Sequence, residues 1–401
     1  MRAHLLCLAA CLALAAIGCS TEDDGAGGGG SGGSAGIGGT GGTAGSGGSA
    51  ACEPLQGEPL DVPERTWTWV GIEGNKCRNG SPTGIGVYRN PDSDRLVIYL
   101  EGGGACFNQI SCNTNPEAFG EANFRSTAFT GILNFGDPAN PLAGANFIYV
   151  PYCTGDVHAG SAEGANVVHG PTNQSFVGHD NVGRALARIV PTFPDVERVV
   201  LTGSSAGGFG AWLNYEQVAK AFCREDVVLL DDAGPPLSAP YLATCLQERW
   251  RTLWGLDETL PAGCTDCAAG VEGGGVTALA PYLVDAYPEA RFGLISSLRD
   301  STISLFFGFA QDDCAILDNA RLPDTEASGD TFEQGLLQLK SDLLDPAPNA
   351  TSYFLAGSKH TWTRDATLSE TNVDGALLVD WITAMVDGPI PDAVTPAPAA
   401  D

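Results

Sequence analysis

The sequence predicts an α/β fold: a mostly parallel central sheet flanked by helices, with a disulfide-containing insertion. Three observations predict it. Short, continuously apolar runs recur along the chain, amphipathic helical patterns separate them, and one run passes directly into a Gly-x-Ser-x-Gly turn followed by a helix-compatible stretch. Continuous apolar strands belong to sheets covered on both faces, and intervening helices supply the crossovers that parallel strands need.

Leu96 to Leu100, Asn146 to Val150, Val196 to Leu201, Val227 to Leu230, Phe292 to Ile295 and Ser352 to Leu355 read as strands, being short and apolar. Helical spacing is carried by Val182, Leu186 and Ile189, by Phe332, Leu336, Leu339 and Leu343, and by Leu378, Trp381, Ile382 and Met385. Ala211 to Phe222 suits a helix as well. The stretch from about 235 to 290 is rich in Pro, Gly and Cys and lacks clear periodicity. It reads as an insertion over the sheet, forming one wall of a pocket.

The ends have a different character. Arg2 precedes an apolar stretch, Leu5 to Ile17, that closes on small residues, so residues 1–18 read as an export signal. Ala16-Ile17-Gly18-Cys19 resembles a bacterial lipobox, in which the cysteine becomes the lipidated first residue; an ordinary signal with an incidental cysteine is the alternative. Acyl chains on Cys19 would make the only membrane attachment. Residues 19–51, nearly all Gly, Ser, Ala and Thr, cannot offset their ordering entropy by burial and read as a flexible tether. The folded domain is expected over 52–387, and residues 388–401, rich in Pro and Ala, as a disordered tail.

Forty-eight acidic residues against twenty Lys and Arg leave a net charge of −28. That excludes the basic footprint of a nucleic-acid binder and suits solubility outside a cell. Of thirteen cysteines, Cys7, Cys11 and Cys19 lie in or at the end of the signal and ten remain. An even number in an exported chain predicts up to five disulfides. Cys264 and Cys267 have zinc-like spacing, but no second pair stands nearby.

Val199-Val200-Leu201-Thr202-Gly203-Ser204-Ser205-Ala206-Gly207-Gly208 carries the strongest chemical signal. A nucleophile on a sharp strand-to-helix turn needs small residues at minus two and plus two, which Gly203 and Gly207 supply around Ser205. Ser204 is a rival hydroxyl without that spacing. The backbone N–H of Ala206 would face a developing oxyanion at the helix start. Glu101-Gly102-Gly103-Gly104-Ala105-Cys106 follows an early strand, and Gly104 or Ala105 would give the second oxyanion donor. A phosphate-cradling loop is excluded there because no Lys-Ser/Thr follows. In the α/β-hydrolase chain order the base lies beyond the nucleophile, and His360 is the one histidine that does. Asp300, just past a strand-like run, is the expected acid, with Asp312, Asp313, Asp231 and Asp232 as rivals. His158 would line the pocket or serve as a hydrogen-bonded structural residue.

Several blocks between about residues 75 and 365 together resemble the pectin acetylesterase and Notum carboxylesterase family. They are Cys77-Arg78-Asn79-Gly80-Ser81-Pro82, Leu100 to Asn108, Val150-Pro151-Tyr152-Cys153-Thr154-Gly155-Asp156-Val157, and Gly203 to Gly208. The resemblance implies a serine carboxylic-ester hydrolase of α/β-hydrolase type, without metal or cofactor. By position it puts the nucleophile at Ser205, the acid at Asp300 and the base at His360. It also implies disulfides Cys77–Cys153 and Cys106–Cys112. Two positions depart from the pattern: Ala105 stands where many members carry tryptophan, and Thr361 where plant and animal members follow the base with cysteine. The first change opens the site, so the substrate does not carry over. An O-acetylated polysaccharide such as pectin is the leading substrate class. The acidic chain would repel polyanionic pectin unless residues such as Arg184 and Arg188 form a basic patch. A long-chain acyl ester, as in Notum, and a non-catalytic surface binding protein are the alternatives. A peptidase or transferase on the same three residues is a further one.

Overall fold

The computed structural model describes residues 52–268, 275–319 and 321–397. The export signal, the tether and Cys19 lie outside the described residues. Eight strands form the central sheet: β1 (Thr68–Lys76), β2 (Pro82–Tyr88), β3 (Arg95–Leu100), β4 (Asn146–Val150), β5 (Arg198–Ser204), β6 (Val228–Asp232), β7 (Arg291–Ser297) and β8 (Ala350–Leu355). Their spatial order is β1-β2-β4-β3-β5-β6-β7-β8. β1 and β2 pair antiparallel, as do β2 and β4, and every pair from β4 through β8 is parallel.

Alternate residues of each strand feed two cores. Leu96, Ile98, Leu100, Val199, Leu201 and Leu229 face one side, against Val182, Leu186 and Ile189 of α1 (Gly178–Thr192) and the helix α2 (Ala206–Phe222). Val97, Tyr99, Val200, Val228 and Leu230 face the other, where Trp381, Ile382 and Met385 of the C-terminal helix Leu378–Asp387 cover them. Burial on both faces is why these strands read as unbroken apolar runs rather than alternating ones.

All six expected strands form, with ends shifted by a few residues. β5 extends through Gly203 and Ser204, and β6 through Asp231 and Asp232, because the sheet pairs them in register, Gly203 with Asp231 and Ser204 with Asp232. β1 and β2 escaped the sequence reading. β1 is an edge strand, mostly half-buried or exposed, and β2 carries two glycines, which usually weaken a strand. At Gly86 a Cβ would lie 2.2 Å from the Phe124 ring, so packing demands the glycine that hides the strand.

The 235–290 stretch holds the helices Thr244–Trp254 and Leu279–Ala286 among short 3-10 turns. Five disulfides pair all ten remaining cysteines: Cys52–Cys223, Cys77–Cys153, Cys106–Cys112, Cys245–Cys314 and Cys264–Cys267. The Cys264 and Cys267 sulfurs with zinc-like spacing are thus bonded to one another.

The expected disordered tail is corrected for residues 388–397. Val394 N donates to Ser352 O and Phe354 N to Val394 O, both at 2.8 Å, so the segment lies along the free edge of β8. An edge strand presents unpaired backbone groups, and the tail covers some of them. Composition could not reveal this, since the bonds use backbone atoms alone. Two such bonds are worth about 1–2 kcal/mol. Deleting residues 391–401 is expected to lower the melting temperature in calorimetry by roughly 2 °C or more; an unchanged melting temperature would mean that the tail contributes nothing.

Candidate active site

The residues that carry chemistry emerge along one edge of the sheet, at the carboxyl ends of its parallel strands, where α/β folds place their ligands. Register brings them there. Leu100 of β3 lies opposite Gly203 of β5, Ser204 opposite Asp232 of β6, and Leu355 of β8 opposite Ser297 of β7.

Ser205 joins β5 to α2 with φ 59° and ψ −121°. A serine in that region costs about 1–3 kcal/mol and persists only where its surroundings hold it. Ser205 N donates to Asp232 O at 2.7 Å, and Gly208 N and Phe209 N return bonds to Ser205 O. The flanking glycines are required by close approach. A Cβ on Gly207 would lie 1.9 Å from Leu100 O, and one on Gly203 would lie 2.2 Å from Gly207 O.

The loop after β3 packs backbone to backbone on this turn: a Cβ on Gly102 would lie 2.4 Å from Ser204 O. Its carbonyls have partners. Glu101 O accepts from His158 Nε2 at 2.8 Å and Gly103 O from Asn115 Nδ2 at 2.8 Å. Among the described residues, neither Gly104 N nor Ala105 N donates to a protein acceptor. Both residues line a cavity of about 20 Å³ together with Ser205 and Ala206. Val157, Phe209, Trp250, Ile303, Phe306 and Phe307 close it. Two backbone N–H groups free of protein partners and a helix start beside one hydroxyl make a setting for an oxyanion.

His360 Nδ1 donates to Asp300 Oδ2 at 2.7 Å. Asp300 is fully buried, and its other oxygen caps the helix Ser301–Gly308 by accepting from Thr302 N at 2.9 Å and Ile303 N at 3.0 Å. The loop carrying His360 is fastened to the acid's loop through Ser301 N to Ser358 O, Arg299 N to Gly357 O and Ser297 Oγ to Lys359 O. The Nδ1 bond leaves Nε2 as the proton acceptor. No hydrogen bond between Ser205 and His360 is made in this structure, while the imidazole–carboxylate bond is.

The rival acids lie elsewhere. Asp312 and Asp313 are exposed and border a separate hollow of about 800 Å³. Asp231 accepts from Trp212 Nε1 at 2.8 Å and Gly234 N at 2.7 Å, and burial pushes its carboxyl up to about 8. Asp232 is fully buried and bonds to the backbone just beyond His360 rather than to its ring. Ser204 Oγ is engaged with Asp232 and Thr363. His158 does not line the cavity: its ring packs on Tyr152 at 4.8 Å and holds Glu101 O, so it is the structural residue. Arg184 and Arg188 form no patch at this edge. Arg188 bonds to Glu58 O, and the Arg184 side chain lies beside Gly74 of β1. Asn115 and Thr363 also support the site and were missed, since a neutral side chain that steadies a loop leaves no pattern in the sequence.

Burial lowers the His158 imidazole to about 4, below its ordinary 6.5. Between these values the unfolded chain binds a proton that the folded chain does not. His158 therefore removes stability as pH falls from about 6.5 to about 4, by up to roughly 3 kcal/mol. In His158→Gln, urea midpoints are expected to be lower at pH 7 but flatter over that interval than in the wild type. Parallel loss in both proteins would contradict a neutral buried imidazole.

Residues 68–282, over half of the chain, match the family model described as pectinacetylesterase. Over 150 residues the chain is 31% identical to palmitoleoyl-protein carboxylesterase notum2 of Xenopus laevis, covering 36% of this chain and 30% of that protein. Over 158 residues it is 30% identical to palmitoleoyl-protein carboxylesterase NOTUM of Homo sapiens, with the same 36% and 30% coverage. The chain thus spans about a third of the length of these curated relatives. A solved structure of the Wnt deacylase Notum from Drosophila shares the fold with a TM-score of 0.57 at 20% identity, covering 80% of this chain and 93% of that one. The strand order, the turn at Ser205 and the matched region lead to one conclusion: the chain belongs to the pectinacetylesterase family.

Proposed function

We propose that this protein is an exported carboxylic-ester hydrolase that removes short acyl groups, acetyl foremost, from a neutral or weakly charged polysaccharide. Ser205 is the nucleophile, His360 the base and Asp300 the acid. His360 Nε2 takes the Ser205 proton as Oγ attacks the ester carbonyl. Backbone N–H groups of Ala206 and of Gly104 or Ala105 hold the oxyanion, and Asp300 fixes the imidazole tautomer and steadies the imidazolium. The alcohol leaves with the proton, and water then releases the acid from Ser205 by the same steps in reverse. The Ser205–His360 hydrogen bond would form with substrate bound, since catalytic hydrogen bonds often tighten only then.

The cavity beside Ser205 carries this reading. At about 20 Å³ it is narrow and apolar, which favours a small acyl group such as acetyl. No lining residue is basic and the chain carries a charge of −28, which disfavours a polyanionic substrate. Five disulfides favour an oxidising compartment, and the lipobox-like run at Cys19 favours attachment to a membrane.

One observation favours a longer acyl group, the substrate class in the names of the Notum relatives. A second apolar cavity of about 30 Å³, bounded by Leu242, Trp254, Leu256 and Leu279, shares Val157, Phe209 and Trp250 with the first. Rotation of the Phe209 or Trp250 ring would join them.

Nitrophenyl acetate, octanoate and palmitate separate these readings. Rates are expected to fall along that series, and Ser205→Ala to lose at least about 10³-fold in kcat. A rate that rises with chain length would transfer the assignment to long-chain esters. A folded protein inactive on all three would be a binding scaffold.

A further inference from the structure

Asp232 ends β6, is fully buried and makes no ion pair among the described residues. Burying a carboxylate without a cation is costly unless hydrogen bonds surround it. Here they do, and they come from two loops. From the nucleophile's side, Ser204 Oγ donates to Asp232 Oδ2 at 3.2 Å, while Ser205 N donates to the Asp232 carbonyl at 2.7 Å. From the base's side, Trp362 N donates to both carboxylate oxygens at 3.0 Å. Thr363 N donates to Oδ2 at 2.8 Å and Thr363 Oγ1 at 2.6 Å. The two sides also meet directly, Ser204 Oγ lying 3.1 Å from Thr363 Oγ1.

Asp232 therefore binds the residue before the nucleophile, the nucleophile's own amide and the two residues that begin two positions after His360. Asp300 holds the imidazole ring, but its bonds reach only the acid's and the base's own loops. The carboxylate that ties the base's loop to the Ser205 turn is Asp232. Burial pushes the Asp232 carboxyl up, and the hydrogen bonds from Thr363 and Trp362 oppose that rise.

We propose that Asp232 is a positioning residue for acyl transfer, clamping the His360 loop to the Ser205 turn so that Nε2 comes within reach of the hydroxyl. The proposal rests on the Ser205–His360 reading above. Asp232 touches neither the substrate nor the proton in flight. It sets the separation of the two groups that exchange that proton, and small misplacements there are expensive.

Asp232→Asn keeps the shape but turns an amide toward groups that are themselves donors. With nitrophenyl acetate it is expected to lower kcat about 100-fold with KM changed less than about two-fold. Unchanged kcat overturns the proposal, even if the melting temperature falls, because Asp232 would then be structural only. Should Asp232→Asn fail to fold, Thr363→Val removes only the hydroxyl shared by Asp232 and Ser204. It is expected to lower kcat about ten-fold at constant KM, and wild-type kcat in that variant would overturn the proposal. Ser205→Ala, assayed in parallel, separates the two levels: full activity there defeats the nucleophile assignment, whereas its loss alongside an unaffected Asp232→Asn defeats only the clamp.

Discussion

The backbone of Ser205 is the constraint on which the rest of this edge depends. A serine held at φ 59° is stable only if the residues around it leave no easier conformation. The chain meets that condition by bringing three backbone segments almost into contact: the turn itself, the start of α2 and the loop after β3. Hypothetical Cβ atoms on Gly207 and Gly102 would fall 1.9 Å and 2.4 Å from carbonyl oxygens of neighbouring segments. The glycines are thus a consequence of proximity as much as of conformational freedom. The same proximity brings Gly104 and Ala105 to the cavity that Ser205 borders.

Backbone crowding of this kind buries polar groups that need partners. The buried carboxylates and one imidazole supply these by distinct routes. Asp300 divides its oxygens between a helix start and His360, Asp231 anchors Trp212 and the turn at Gly234, and Asp232 spans two loops. His158, neutral through burial, holds Glu101 O. Four buried titratable groups thus have separate environments. Only the Asp300–His360 pair has the bonding suited to proton transfer, because its imidazole keeps one nitrogen engaged and the other open.

The cavity beside Ser205 is walled mostly by apolar side chains. Aromatic side chains from α2, the insertion and the helix Ser301–Gly308 converge on the space beside Ser205 and leave little of it unfilled. Ala105 lines this space together with Phe306 and Phe307. The insertion that supplies Trp250 is tied by Cys245–Cys314 to the segment following that helix, so a disulfide braces both walls. Aromatic side chains thus form most of the wall beside Ser205.

Much of this protein is determined by its sequence alone. Six strands, their helices and the turn at Ser205 follow from local pattern, because burial on both faces leaves continuous apolar runs and the strained turn admits only small neighbours. His360 follows from chain order. Asp300 is the expected acid from its place past a strand-like run, but what each of the five acidic residues meets is not local, since a carboxylate at a strand end looks alike whether it meets an imidazole, a tryptophan or a backbone amide. Register across β5, β6 and β7 decided that, bringing Asp300 to the ring and Asp231 and Asp232 to other partners. The β1–β2 hairpin and the tail along β8 also belong to the tertiary structure. One is disguised by glycines that a neighbouring ring requires, and the other is held by backbone bonds that no side chain records. Local order is written in periodicity and steric size, while partnership between distant polar groups exists only once the sheet has set their distances.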